Sequence, residues 1–198
     1  LGSYVVGMAG GSASGKSTFV ALLAPLLREG TPPINVEVFG LDKYFYRGQD
    51  GGPTFVSPST GETLPHNNCP ESSDNVRLVA DLDALRNAPD APDVILIEGH
   101  LIFAIDLIRE RLDLRLFMDL DADIRALRRL LRDIKGERGN PDPHFIATYY
   151  LECARVGHAQ YIEPSRQYAD FTLRGDADFH QTAPLVAGLI RSQLSHGC

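Results

Sequence analysis

Cysteine is scarce in this chain of 198 residues. The three present, Cys69, Cys153 and Cys198, are far apart, odd in number and without C-x-x-C spacing. They suggest neither a disulfide framework nor a zinc centre, and a reducing, cytoplasmic setting is the simpler reading. Long apolar runs are missing too. The short one that begins at Tyr4 has no basic lead-in, so neither a membrane span nor a signal peptide is expected. Basic charge is in deficit. A net charge of −7 argues against a nucleic-acid partner, whose phosphates need a broad basic surface, so any anion site must be local. No internal repeat occurs, and no Asn-Lys-x-Asp run that would read a guanine base, which weighs against a GTPase-type switch. An initiating Met is also absent, so Leu1-Gly2-Ser3 reads as partly extraneous, or the natural start lies upstream. The remaining composition is ordinary: 43% hydrophobic residues suit one domain over residues 1–198 with a full core.

The most informative stretch is Gly10-Gly11-Ser12-Ala13-Ser14-Gly15-Lys16-Ser17-Thr18, which fits G-x-x-x-x-G-K-[ST]. Small residues there let successive backbone N–H groups turn inward as an anion nest. Lys16 can reach terminal phosphates, and the Ser17 hydroxyl can ligate Mg²⁺. The apolar run Tyr4 to Ala9 precedes it and the apolar run Phe19 to Leu27 follows, which is the strand, loop, helix order the motif needs. The helix that starts near Gly15 adds its positive dipole end. This chain is therefore expected to hold a nucleotide.

Further along, Ile34 to Phe39 alternates as a second strand, and Asp42 follows just past its end, at the sheet edge where open α/β folds bind ligands. Residues 48–73, rich in Gly, Pro, Ser, Thr and Asn with little periodicity, read as part of a substrate-side flap spanning about residues 43–73 and containing Glu62, His66 and Asn68. Val76, Leu78, Val79, Leu82 and Leu85 fall at helical spacing. Asp93 to Gly99 is a continuous apolar strand closed by Glu98, a natural place for an acid that holds Mg²⁺. After a short helix around residues 104–111 and a strand at 114–120, Arg125, Arg128, Arg129 and Arg132 recur along one helical face, with Lys135 and Arg138 beyond. Four like charges on one face repel unless an anion lies across them, so a basic lid over phosphates, at about residues 125–143, is preferred to a solvated face. A helix at 144–161, a strand at 168–173 and a helix at 181–194 close the chain. Tyr149, Tyr150 and Tyr161 can stack on a base or simply pack.

Together these segments, with Leu41 to Arg47, Ile97-Glu98-Gly99, Phe117-Met118-Asp119, the run Asp121 to Ile134 and Tyr168-Ala169-Asp170 before Arg174-Gly175, resemble the uridine/cytidine kinase family. That family lies within the wider phosphoribulokinase, pantothenate kinase and nicotinamide riboside kinase group of P-loop kinases. The resemblance implies an α/β P-loop NTPase fold: a parallel sheet of about five strands with helices on both faces and an arginine-rich lid. It implies ATP and Mg²⁺ as cofactors and Asp42 as general base toward an accepting hydroxyl, with Lys16, Arg129 and Arg132 completing the catalytic set. The nucleotide is expected on Gly11, Ser12, Ala13, Ser14, Gly15, Lys16, Ser17 and Thr18 with Arg132 and Arg138, and the metal on Ser17 and Glu98. The acceptor is expected against Asp42, Phe45 or Tyr46, Asn68, Arg129 and Tyr149.

Three departures from that family's pattern bear on the acceptor. The family's ribose-binding Asp falls on neutral Asn68, which loses the charge that grips a diol. Asn87 to Pro92 directly joins the helix to the strand ending in Glu98, with no room for the hairpin on which a pyrimidine packs. A second substrate-side lid Arg appears as Asn140. The expected activity is transfer of the ATP γ-phosphoryl group to a hydroxyl of a small metabolite, nucleoside-like or a different alcohol such as nicotinamide riboside or an intermediate of specialised metabolism. A catalytically silent ATP-binding module is the remaining alternative, and homo-oligomerisation is left open.

Overall fold

The computed structural model describes residues 2–46, 51–136 and 139–196. Five strands form one parallel sheet: β1 (Tyr4–Gly10), β2 (Val36–Gly40), β5 (Val94–Glu98), β6 (Leu114–Asp119) and β7 (Phe171–Arg174). Their order is β2-β5-β1-β6-β7, which puts β1 in the centre with β5 and β6 as neighbours. Side chains alternate across each strand, so Val6 and Met8 face one layer while Val5 and Ala9 face the other. On the first face they meet α1 (Lys16–Arg28) and α8 (Phe179–His196), through Phe19, Leu23, Ala183 and Ile190. On the second they meet α2 (Asn75–Arg86), α3 (Asp106–Arg109) and the turn before it, through Leu78, Leu82, Ile102 and Phe103. A sheet covered on both sides explains why β5 reads as an unbroken apolar run.

Two elements differ from the sequence expectation. Residues 48–73 are not loop throughout: β3 (Thr54–Val56) and β4 (Thr63–Pro65) form an antiparallel hairpin with Phe55 opposite Leu64. Three-residue strands are too short to show a period, and these persist because Phe55 and Leu64 pack on a small core of Tyr149, Cys153 and Ala154. Glu152 adds a tie, accepting from Ser57 Oγ at 2.6 Å and from the Ser59 amide at 3.2 Å.

The helix expected at 144–161 begins as α5 (Pro143–Tyr149). It then alternates π-helical turns, Tyr150–Ala154 and His158–Ile162, with α6 (Arg155–Gly157) and α7 (Glu163–Ser165). Gly157 shows what the extra residues accommodate. A Cβ there would overlap the Asn68 carbonyl, so the helix can lie against the flap only where it carries glycine. Between the two, α4 (Ala122–Asp133) carries the arginine face.

Candidate active site

Three strand tips meet at the carboxyl edge of the sheet. β1 ends at Gly10, where a φ of 137° and the Met118 carbonyl pressed against it leave no room for a side chain. The chain curls through residues 11–15 and enters α1 at Gly15, with φ of 106°. Ala13 also lies in the left-handed region, at 63°, so the loop turns its backbone rather than its side chains inward. No side chain caps α1. Its first amides and its positive dipole end are left for an anion.

The Lys16 ammonium is buried and donates to the carbonyls of Gly10 and Gly11, both at 2.8 Å. Burial brings its pKa down to about 8, against the opposing pull of Glu98 and Asp42. Ser17 Oγ donates to Glu98 Oε2 at 2.8 Å and joins the loop to the tip of β5. A hydroxyl and a carboxylate side by side suit a Mg²⁺ ion that takes its other ligands from phosphates and water, and no cluster of three or more His, Cys, Asp or Glu competes among the described residues. Asp42 arrives from the third tip, on a single 3₁₀ turn (Leu41–Tyr44) whose Leu41 and Tyr44 are buried.

These groups share one cleft of about 550 Å³. Ser12, Ala13, Gly15, Lys16, Ser17 and Thr18 line it with Asp42 and Glu98, and Arg128 and Arg132 of α4 lie along it too. The arginine face meets its own repulsion by giving every guanidinium an accepting partner. Arg125 is buried behind the loop, where its Nε donates to the Leu120 carbonyl at 2.9 Å and its guanidinium fills the space a Cβ on Gly11 would need. Arg128 Nη1 donates to the Gly175 carbonyl at 3.0 Å. Arg129 and Arg132 share one carboxylate, Asp133, whose oxygens lie 3.3 Å and 2.7 Å from their Nε atoms.

Several other expected residues lie elsewhere. Gly11 and Ser14 belong to the loop but do not line the cleft; the Ser14 amide donates to the Gly11 carbonyl at 3.1 Å. Arg129 packs over the Tyr149 ring, 5.6 Å from its centroid, rather than opening on the cleft. Tyr149 is buried against Phe55 and Phe145, and its hydroxyl donates to the Pro65 carbonyl at 2.8 Å while accepting from the Asn67 amide at 3.2 Å. Asn68 is also buried, donating from Nδ2 to Cys153 Sγ at 3.4 Å. Apolar packing of the hairpin on Tyr149 holds that ring off the cleft, and the close approach of Gly157 encloses Asn68. Phe45 and Tyr46 do not reach the cleft either; Phe45 stacks behind His100. Arg138 lies outside the described residues. Conversely, Gly40, His100 and Asp176 line the cleft without having been singled out. For His100 a signal was present, because it follows Glu98-Gly99 at a strand tip.

Comparison with known proteins fits this geometry. Residues 70–177 match the model of the phosphoribulokinase/uridine kinase family. The uridine kinase of Chloroflexus aggregans is 34% identical over 192 residues, covering 86% of this chain and 86% of that protein. The uridine kinase of Oceanobacillus iheyensis is 30% identical over 214 residues, covering 98% and 96%. Among solved structures, a putative fructose transport system kinase from a Silicibacter species superposes with a TM-score of 0.65 at 21% identity, over 87% of this chain and 90% of that one. The shikimate kinase of Acinetobacter baumannii does so with 0.52 at 16%, over 98% and 94%. At these identities the solved structures bear on the fold alone.

Proposed function

Because the chain belongs to the phosphoribulokinase/uridine kinase family, we propose that it transfers the γ-phosphoryl group of ATP to a hydroxyl of a small, nucleoside-like metabolite. The observation that carries this reading is the convergence of Asp42, Lys16 and the Ser17–Glu98 pair on one cleft with two arginines. Phosphoryl transfer asks a protein for alignment and charge neutralisation more than for covalent chemistry.

In this reading the loop amides and the uncapped end of α1 hold the phosphate chain. Lys16, now donating to loop carbonyls, turns its ammonium to the outer phosphates. Arg128 and Arg132 neutralise charge that spreads onto the transferred group. Asp42 accepts the hydroxyl proton late in the step, and closure over the cleft keeps water out. Mg²⁺, when bound through Ser17 and Glu98, supplies further neutralisation and fixes the phosphate geometry.

One observation favours an acceptor other than uridine or cytidine. Only residues 87–93 separate α2 from β5, so no base-binding hairpin stands there, and the hairpin that does exist turns its inner side chains onto Tyr149. The test is ADP release from Mg-ATP with uridine, cytidine, nicotinamide riboside and simple polyols, beside calorimetry with ATP alone. Turnover with any of these supports the transferase. Tight ATP binding with no turnover on every alcohol would instead favour a silent ATP-binding module.

A further inference from the structure

α4 has an occupied face and an unoccupied one. On the first, Arg125 and Asp133 are buried and Arg129 nearly so. On the opposite side Ile124, Leu127, Leu131 and Ile134 recur at spacings of three, four and three, which lays them in one stripe along the helix. Ile124 is half-buried, whereas Leu127 is 62% exposed, Leu131 63% and Ile134 41%. Single apolar side chains at a surface need no explanation, but a continuous stripe does. None of the hydrophobic clusters among the described residues takes in any of these four.

The charges at the ends of the stripe say what fits it. Asp121 and Asp123 stand at its start and Lys135 just past its end, all three exposed. A second α4 laid alongside in the same direction would set acid against acid and base against base. Laid antiparallel, it sets acid against base at both ends, and the two helix dipoles attract as well. The register closes too. About a two-fold axis midway between Leu127 and Leu131, Leu127 of one copy meets Leu131 of the other and Ile124 meets Ile134, so every layer joins two apolar residues. Arg128 flanks the stripe without entering it, because its guanidinium is tied to the Gly175 carbonyl on the cleft side.

We propose that this stripe is an isologous interface between two copies of the chain, paired antiparallel along α4. The helix has 12 residues, about three turns, which cover less area than a standard interface. The pair should therefore be weak, with a Kd on the order of 100 µM.

The test is sedimentation equilibrium of the full chain from about 10 µM to about 1 mM, where a monomer–dimer equilibrium is expected. Leu127→Glu and Leu131→Glu, both at exposed positions, should each weaken association by about tenfold or more while circular dichroism and Tm stay at wild type. Charge reversal then fixes the direction. Asp121→Lys with Asp123→Lys makes both ends of the stripe basic, and Lys135→Glu makes both acidic. Each of these variants alone should self-associate about three- to tenfold more weakly, and an equimolar mixture should recover the wild-type affinity, because opposite charges meet again. A chain that stays monomeric over the whole range overturns the proposal and leaves the stripe to a partner of another kind. Association that persists in both glutamate variants overturns it as well, since the contact then lies on another surface. A mixture no tighter than its components overturns the antiparallel pairing.

Discussion

The two walls of the cleft are built by different means. The wall we propose for phosphate is a property of continuous backbone: residues 10–18 set their own curvature, with Gly10, Ala13 and Gly15 in the left-handed region and α1 left uncapped. The wall we propose for the acceptor is assembled from side chains far apart in the chain. Asp42, Glu98 and His100 come from two strand tips, and what stands behind them is held by Phe45, Asn67, Tyr149 and Cys153. A wall made of local backbone tolerates little change in residue type, whereas a wall of non-local contacts can be repacked, so the second is where related chains can diverge in substrate.

The sharpest way to separate the walls is Asp42→Asn. Turnover should fall by about two to four decades while ATP affinity, measured by calorimetry, stays near wild type. An equal loss in both would mean that Asp42 supports the phosphate wall as well. Next in size is Asp133→Asn. One buried carboxylate positions both Arg129 and Arg132, so its neutral form should lower kcat/KM for ATP by about one to two decades. Unchanged kinetics would show that the arginines find their places without it.

A smaller effect follows from Lys16. Its pKa in the free protein is about 8 rather than 10.5, and only the charged form attracts phosphate. Thus kcat/KM for ATP should be flat below pH 8 and fall about tenfold per unit above it. In kcat the same limb should move to higher pH, because bound phosphates stabilise the ammonium. A kcat/KM profile flat to pH 10 would remove Lys16 from the binding step.

The least disruptive probe is Tyr149→Phe. It deletes the hydroxyl that bridges Pro65 and Asn67, which should cost about 1–3 kcal/mol and lower Tm by about 2–10 °C. The acceptor KM should change by less than about twofold. A raised KM at unchanged Tm would return Tyr149 to the substrate side and blur the division between the walls.

The same division explains what the sequence made legible. The strand, loop, helix order around Lys16, the tips that carry Asp42 and Glu98, and the arginine face of α4 are each encoded within a few adjacent residues. Period and turn chemistry therefore suffice to find them. The hairpin at 54–65 was not legible, because Phe55 and Leu64 show no pattern of their own and become a core only against Tyr149. The surroundings of Asn68 were not legible for a related reason. Its place in the chain suits a ligand group, but the close approach of Gly157 encloses it and leaves Cys153 as its partner. Likewise the spacing of the four arginines put them on one face without telling that Arg125 goes behind the loop and Arg129 onto an aromatic ring.

Arg125 also limits how the molecule can move. With its guanidinium wedged behind Gly11, the first turn of α4 is bolted to the floor of the cradle. Beyond the other end of the helix, Gly136 and Gly139 lie in the left-handed region at φ of 78° and 113°. A side chain at Gly11 would therefore be felt first as a displaced start of α4 rather than as a blocked pocket.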